Sequence, residues 1–152
     1  MIVYRITKNK HSTDISGTGA ALFPGRWNQK GTPVLYTSES IEMALLENIV
    51  HAPPMIIPDL DILTLEIPDD SIEDLTISNL PRNWQNHPAP TILSKMGQRW
   101  VDEGKTISLK VPSAIVPTSY NYILNCKHKD YNQVKIVERK SFYFDPRLIK
   151  RK

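Results

Sequence analysis

Residues 34–51 read VLYTSESIEMALLENIVH. The first four, Val34 to Thr37, have the β-branched and aromatic character of a strand. Ser38 then stands where a helix N-cap belongs, and Glu39 and Glu42 suit the positive end of a helix dipole. The helical pattern runs to about His51, where Pro53-Pro54 forbids continuation. A strand running straight into a helix raises the question that decides the fold: whether this unit repeats, as in a doubly wound sheet, or stands alone. It stands alone. Met1 to Ile6 reads as a strand, but residues 7–33 are punctuated throughout by polar residues, Gly and Pro. A loop of that length inside a compact domain is often functional. Ile56 to Ile67 reads as strand with a proline interruption, and its second half, DILTLEIP, alternates apolar and polar. Ile72 to Asp74 carries only a weak strand signal. Thr91 to Glu103 spaces Ile92, Met96 and Trp100 as a helix does, with Leu93 beside them and Gly104 as its stop. TISLKV at 106–111 alternates again, YNYILNC at 120–126 is a short apolar run, and VKIVERKSFYFD reads as two strands joined by a charged turn. The sum is α+β with more strand than helix, and the irregular order disfavours a Rossmann-like sheet.

The chain has 152 residues, which implies one domain over 1–152. A chain of this length buries roughly 70% of its unfolded surface and needs no disulfide or metal to fold. Cys126 is the only cysteine, so no intramolecular disulfide forms and a cysteine-based zinc site is not expected. The N-terminus lacks the apolar core of a signal peptide, and no run approaches a membrane span of roughly 20 residues. The expectation is a cytoplasmic protein without membrane contact. Net charge is +3 and pI about 9.0, which permits an anionic small molecule, nucleic acid or an acidic partner. The basic excess ends in RLIKRK, which reads as a solvated terminus rather than a nucleic-acid arm.

Within the long loop, PGRWN at 24–28 sets Arg26 between a tight turn and Trp27. A guanidinium is a planar fork that matches phosphate or carboxylate, and Trp27 offers a stacking face. Equally, the pair reads as an exposed Arg beside a packed Trp. Arg5, inside an apolar strand, must be paired, point at a site or face outward. Glu47 has Met43, Ala44 and Val50 at its helical neighbour positions. A carboxylate in such company needs a donor or a shifted pKa; a structural salt bridge also satisfies it. Ser113, in VPSAIVP, reads locally as a turn or capping serine, since no G-x-S-x-G surrounds it and the four histidines are scattered. Tyr36 is either a core aromatic or a wall on which a ring stacks. His51 reads as a helix C-terminal cap. There is no H-E-x-x-H, no EF-hand, no Walker A and no G-x-G-x-x-G. No metal site is therefore expected.

YRI at 4–6, SGTGA at 16–20, GRWN at 25–28, VLYTS at 34–38, LLENIVH, VPSAIVP, YNYILNCKH and FYFDPRL resemble the RES domain in its usual order. The resemblance runs along almost the whole chain. The Arg, Glu and Ser that name the family correspond to Arg26, Glu47 and Ser113. One departure is Asn125-Cys126, where many members have Asn-Pro.

The resemblance implies a toxin of a bacterial type II toxin–antitoxin module, with an Xre-like antitoxin that carries the DNA-binding part. It implies a fold similar to ADP-ribosyltransferase toxins, a mixed, split β-sheet core with flanking helices around an NAD cleft. It implies cleavage of the nicotinamide–ribose bond of NAD, or transfer of ADP-ribose to a protein. Arg5 and Arg26 would grip the pyrophosphate, and Glu47 would stabilise oxocarbenium character on the ribose. Tyr36 would stack on nicotinamide, and Ser113 would hydrogen-bond nicotinamide or ribose. The antitoxin's C-terminal segment would block the cleft. A different class remains open from charge alone: a non-enzymatic nucleic-acid or protein-interaction module, in which Arg26 and Glu47 are dispensable.

Overall fold

The β-branched stretch IVYRITK forms β1 (Ile2–Lys8), which pairs antiparallel along its whole length with β3 (Leu60–Glu66). β3 in turn pairs with β7 (Lys135–Phe142). On the other side of β1 lie β2 (Val34–Ser38), β6 (Tyr120–Asn125), β5 (Ser108–Pro112) and β4 (Ile72–Asp74). The sheet order is β4-β5-β6-β2-β1-β3-β7, with β4 and β5 parallel and all other neighbours antiparallel. The computed structural model describes residues 1–51 and 59–148. The first three residues of the expected 56–67 strand segment, 56–58, fall outside the described residues.

The join between the two halves of this sheet is thin. β1 and β2 share one register pair, Tyr4 opposite Ser38, whereas β1–β3 and β2–β6 are paired along entire strands. The sheet is therefore mixed and split, as expected. Helix α2 (Ile41–His51) packs on both β1 and β2, so it lies over the join.

Strand alternation sorts the core onto two faces. Val3, Leu35, Leu63, Leu65, Tyr122 and Leu124 form one cluster on one face. The other face carries two clusters. Val34, Leu109, Val111 and Ile123 pack with Trp27, Trp84, Leu93 and Trp100 beneath α3 (Thr91–Glu103). Ile6 and Leu60 pack with Ala44 and Phe144 beneath α2. Helix α3 meets the 24–28 loop closely: a Cβ at Gly97 would fall onto the Trp27 carbonyl, so only glycine fits there.

Three expectations are corrected in detail. Ser38 stays in β2 and does not cap α2; Ser40 does, its hydroxyl accepting from the Met43 amide at 3.1 Å. Pairing of Ser38 with both Tyr4 and Asn121 outweighs capping there. The terminal segment is one strand, β7, rather than two. It is a sheet edge with mostly exposed side chains, so its charged run needs no turn to reach water. The 7–33 loop contains a short helix, α1 (Thr18–Leu22), and a 3-10 turn at Asn9–His11. Helix α3 and its left-handed Gly104 terminus (φ +62°) lie where the apolar spacing puts them.

Candidate active site

The site is assembled where α2 crosses the join of the sheet. Glu47 projects from α2 with its side chain about one quarter exposed, at 26%. Its Oε1 accepts from Asn121 Nδ2 at 2.7 Å and from Ser113 Oγ at 3.0 Å. Its Oε2 has one polar neighbour among the described residues, His51 Nε2 at 3.9 Å, one turn later on α2. One oxygen is thus tied down and the other is available. His51 sits in the last turn of α2 and faces Glu47.

Ser113 closes β5 and is fully buried. Its hydroxyl accepts from the amides of Ile115 at 3.1 Å and Val116 at 3.2 Å, and donates to Glu47. A hydroxyl has one proton and two lone pairs, so this one is fully committed. Asn121, on β6, donates to Glu47, while its Oδ1 accepts from Ser38 Oγ at 2.7 Å. Four residues, from two strands, one helix and the position just past β5, therefore form a continuous chain, Ser38–Asn121–Glu47–Ser113.

Arg26 comes from the loop. Its Nη1 donates to the carbonyls of Trp84 at 2.6 Å and Asn86 at 3.2 Å, and no carboxylate within ion-pair distance neutralises it among the described residues. Burial lowers its pKa, against the raising influence first of Glu47 and then of Tyr36. The guanidinium and the carboxylate thus share one electrostatic environment. Trp27 takes the packed alternative: it is 3% exposed in the core beneath α3 and offers no stacking face.

Tyr36 explains how the loop is held. Its hydroxyl accepts from the Trp27 amide at 3.0 Å and donates to Asn28 Oδ1 at 2.7 Å. Asn28, buried, also accepts from the Gly25 amide and donates to the Ala20 and Thr32 carbonyls. A Cβ at Gly25 would lie 2.8 Å from the Tyr36 hydroxyl oxygen, so glycine is required for this contact. Burial pushes the Tyr36 phenol well up, and the hydroxyl stays protonated.

Arg5 stands apart from this group. It occupies the face of β1 opposite Tyr4 and Ile6, which pack beneath α2. Its Nη1 crosses the gap between β1 and β2 to the Tyr36 carbonyl at 3.0 Å. Burial lowers its pKa; Cys126, Tyr131 and Asp14, in that order, oppose the shift. Structure thus joins Glu47 and Ser113 directly, brings Arg26 into their field, and links Tyr36 to the Arg26 loop. Arg5 reaches them only through the Tyr36 backbone.

The RES domain model matches residues 2–145 of the chain. The chain belongs to the RES-domain family. Among proteins it resembles is a Toxin Res of Photorhabdus laumondii subsp. laumondii, 40% identical over 100% of this chain and 99% of that protein. A Toxin Res of Yersinia enterocolitica is 35% identical over 97% of this chain and 99% of its own length. A Prs ADP-ribosylating toxin of a Sphingobium species is 34% identical over 91% of this chain and 88% of its own length. The fold is similar to a chain in the crystal structure of the M. tuberculosis MbcT–MbcA toxin–antitoxin complex. That match has a TM-score of 0.79 at 20% identity, over 97% of this chain and 86% of the other.

Within this RES domain the Asn125-Cys126 departure leaves the turn intact. Asn125 is 1% exposed and its Oδ1 accepts from the Lys127 amide at 3.0 Å. Burial pushes the Cys126 thiol up to about 11, only partly countered by a Tyr131 hydrogen bond and by Arg5. It is therefore a neutral packing group near pH 7 rather than a nucleophile. Sequence reasoning missed Asn121. The signal was present: Asn121 and Ile123 share a strand face, so one of YNYILN's polar residues had to sit on the same face as core Ile123.

Among the described residues no group of three or more His, Cys, Asp and Glu is placed to hold a metal ion. No described helix is long and apolar enough to cross a membrane.

Proposed function

We propose that this RES-domain protein is the toxin of a toxin–antitoxin module and destroys NAD by cleaving the nicotinamide–ribose bond. The observation that carries this reading is Glu47: one carboxylate oxygen is held by two donors, the other meets only His51 at 3.9 Å among the described residues, and Arg26, with no carboxylate in ion-pair distance among them, lies in its field. The relatives' names support it, and so does the likeness to a chain of a toxin–antitoxin complex. In the reaction the C–N bond between ribose and nicotinamide breaks, and nicotinamide leaves as a neutral base with the bonding pair. The ribose gains positive character, which Oε2 of Glu47 stabilises while orienting a ribose hydroxyl. Water then bonds to the anomeric carbon and loses one proton. NAD and water thus give ADP-ribose, nicotinamide and a proton. No strong general acid is needed, in keeping with a site that offers a lone carboxylate.

Arg26 takes the pyrophosphate in this scheme, and Ser113 acts by holding Glu47 rather than by touching NAD. Tyr36 holds the loop and lends the edge of its ring to the nicotinamide. Arg5, on the opposite face of β1, acts indirectly by holding the Tyr36 backbone of β2 in place. Arg5→Lys keeps the charge but loses the fork. It should weaken NAD binding several-fold in isothermal titration through the displaced Tyr36 loop; unchanged affinity would remove Arg5 from substrate binding.

The deciding experiment mixes purified protein with NAD and follows nicotinamide release, with folding checked by circular dichroism. Steady release is expected; its absence from folded protein would refute the proposal. A second reading, ADP-ribosyl transfer to a protein, is favoured by the 34% identity to a Prs ADP-ribosylating toxin. NAD labelled in the adenylate separates the two, since transfer leaves label on a macromolecule and hydrolysis leaves free ADP-ribose. We assign the partner as an Xre-like antitoxin whose C-terminal segment covers the cleft; titrating it into the same assay should stop nicotinamide release.

A further inference from the structure

We infer that Asn121 is the positioning residue of this site: with Ser38 behind it, it decides which oxygen of Glu47 does the work. The inference rests on the NAD-cleaving reading and adds a residue that the Arg, Glu and Ser pattern does not contain. A carboxylate can only accept, so the amide nitrogen of Asn121 must be the atom facing Glu47, at 2.7 Å. The amide oxygen is then turned toward Ser38, and the Ser38 hydroxyl, 3% exposed, donates to it at 2.7 Å. Flipping the amide would lose the bond to Glu47 and set oxygen against oxygen there, while the Ser38 hydroxyl would turn from donor to acceptor. Ser38 itself is locked, because its backbone supplies the single register pair that joins β2 to β1. The orientation of Glu47 is thus tied to the one point where the split sheet closes.

Ser113 cannot do this work alone. Its hydroxyl contacts the same oxygen, Oε1, from the β5 side at 3.0 Å. With one donor the carboxyl group can still turn about its terminal torsion; two donors, one on β6 and one just past β5, fix its plane. Oε2 is then left with His51 Nε2, at 3.9 Å, as its ion-pair partner among the described residues. Misplacing a catalytic group by about 1 Å costs on the order of 10²-fold in rate.

The test compares NAD cleavage by the protein as it stands with Asn121→Ala and Asn121→Asp. Asn121→Ala is expected to lower kcat by about 10²-fold with KM within about threefold. Asn121→Asp places two carboxyl groups within hydrogen-bond distance. With one proton between them the protonated Asp donates as the amide did, so activity survives at low pH. As pH rises and that proton leaves, repulsion displaces Glu47. A new alkaline limb, absent from the unsubstituted protein, is therefore expected in the rate profile. The titratable neighbours that face Glu47 are His51 on its own helix and Arg26 from the loop; both remain in every variant, so the new limb belongs to position 121. A rate loss wholly in KM, or variants with unchanged kcat and pH profile, would overturn the inference while leaving NAD cleavage standing. If the unsubstituted protein releases no nicotinamide, the NAD reading fails separately. The positioning claim is then decided by the crystal structure of Asn121→Ala, in which the Glu47 carboxylate should be turned from its orientation in the unsubstituted protein. An unmoved carboxylate overturns it.

Discussion

Glu47→Gln is expected to reduce nicotinamide release by about 10³-fold, with little change in NAD affinity. The substitution keeps the shape and an acceptor oxygen for Asn121 and Ser113, so the local hydrogen bonds survive. What it removes is the negative charge at Oε2 where the ribose becomes positive. An interaction made only in the transition state is lost from kcat and not from KM. Steady-state kinetics check this, and a kcat within tenfold of the unsubstituted protein would remove Glu47 from the chemistry. Glu47→Ala serves as the contrast. It leaves the Asn121 amide and the buried Ser113 hydroxyl without their acceptor, which costs about 1–3 kcal/mol of stability. The glutamine variant should therefore unfold near the native temperature, and the alanine variant below it.

Arg26→Ala is expected to weaken NAD binding by about 10- to 100-fold, the loss of a charge-assisted contact of about 1.5–3 kcal/mol. Its stability cost should be small. The contacts of Arg26 within the protein are donations to two backbone carbonyls, one of them in exposed surroundings, and no buried ion pair is broken. The loop itself is held by Tyr36 and Asn28 and does not depend on the guanidinium. Arg26→Lys should recover part of the affinity only, because an ammonium cannot meet a pyrophosphate with a planar fork. Titration of NAD into the catalytically impaired Glu47→Gln background measures this without turnover. Equal affinity in all three proteins would remove Arg26 from substrate binding.

Much of the fold could be read locally. Helix α3 is legible because Ile92, Met96 and Trp100 recur at helical spacing with Leu93 beside them, and glycine at 104 permits the left-handed stop, although it is Leu93 that is buried and Ile92 that is exposed. The β2–α2 unit was visible for similar reasons, although the capping serine was displaced by two residues. Ser38 and Ser40 are chemically equal as caps, and only register in the sheet separates them. The charged segment of β7 was read as a turn because an edge strand exposed to water has no alternation to display. In the site, Arg26, Glu47 and Ser113 were candidates from their residue types and from family resemblance. Asn121 was not: its shared strand face with Ile123 is legible, but not the side chain it meets across the fold.

The chain's own order of residues determined which segments are strand and helix, that the sheet is not doubly wound, and which polar groups lie in apolar company. Those properties depend on neighbours a few positions away, through backbone period and side-chain burial. Tertiary structure alone decided that β1 and β2 meet at one pair, that Arg5 reaches across the gap beside it, and that two donors hold one oxygen of Glu47. The reason is the distance along the chain over which these contacts close: Ser113 lies 66 residues from Glu47, Asn121 lies 74 from Glu47, and Ser38 lies 83 from Asn121. No local pattern encodes such hydrogen bonds. They exist only once the strands have paired and α2 has settled across the join.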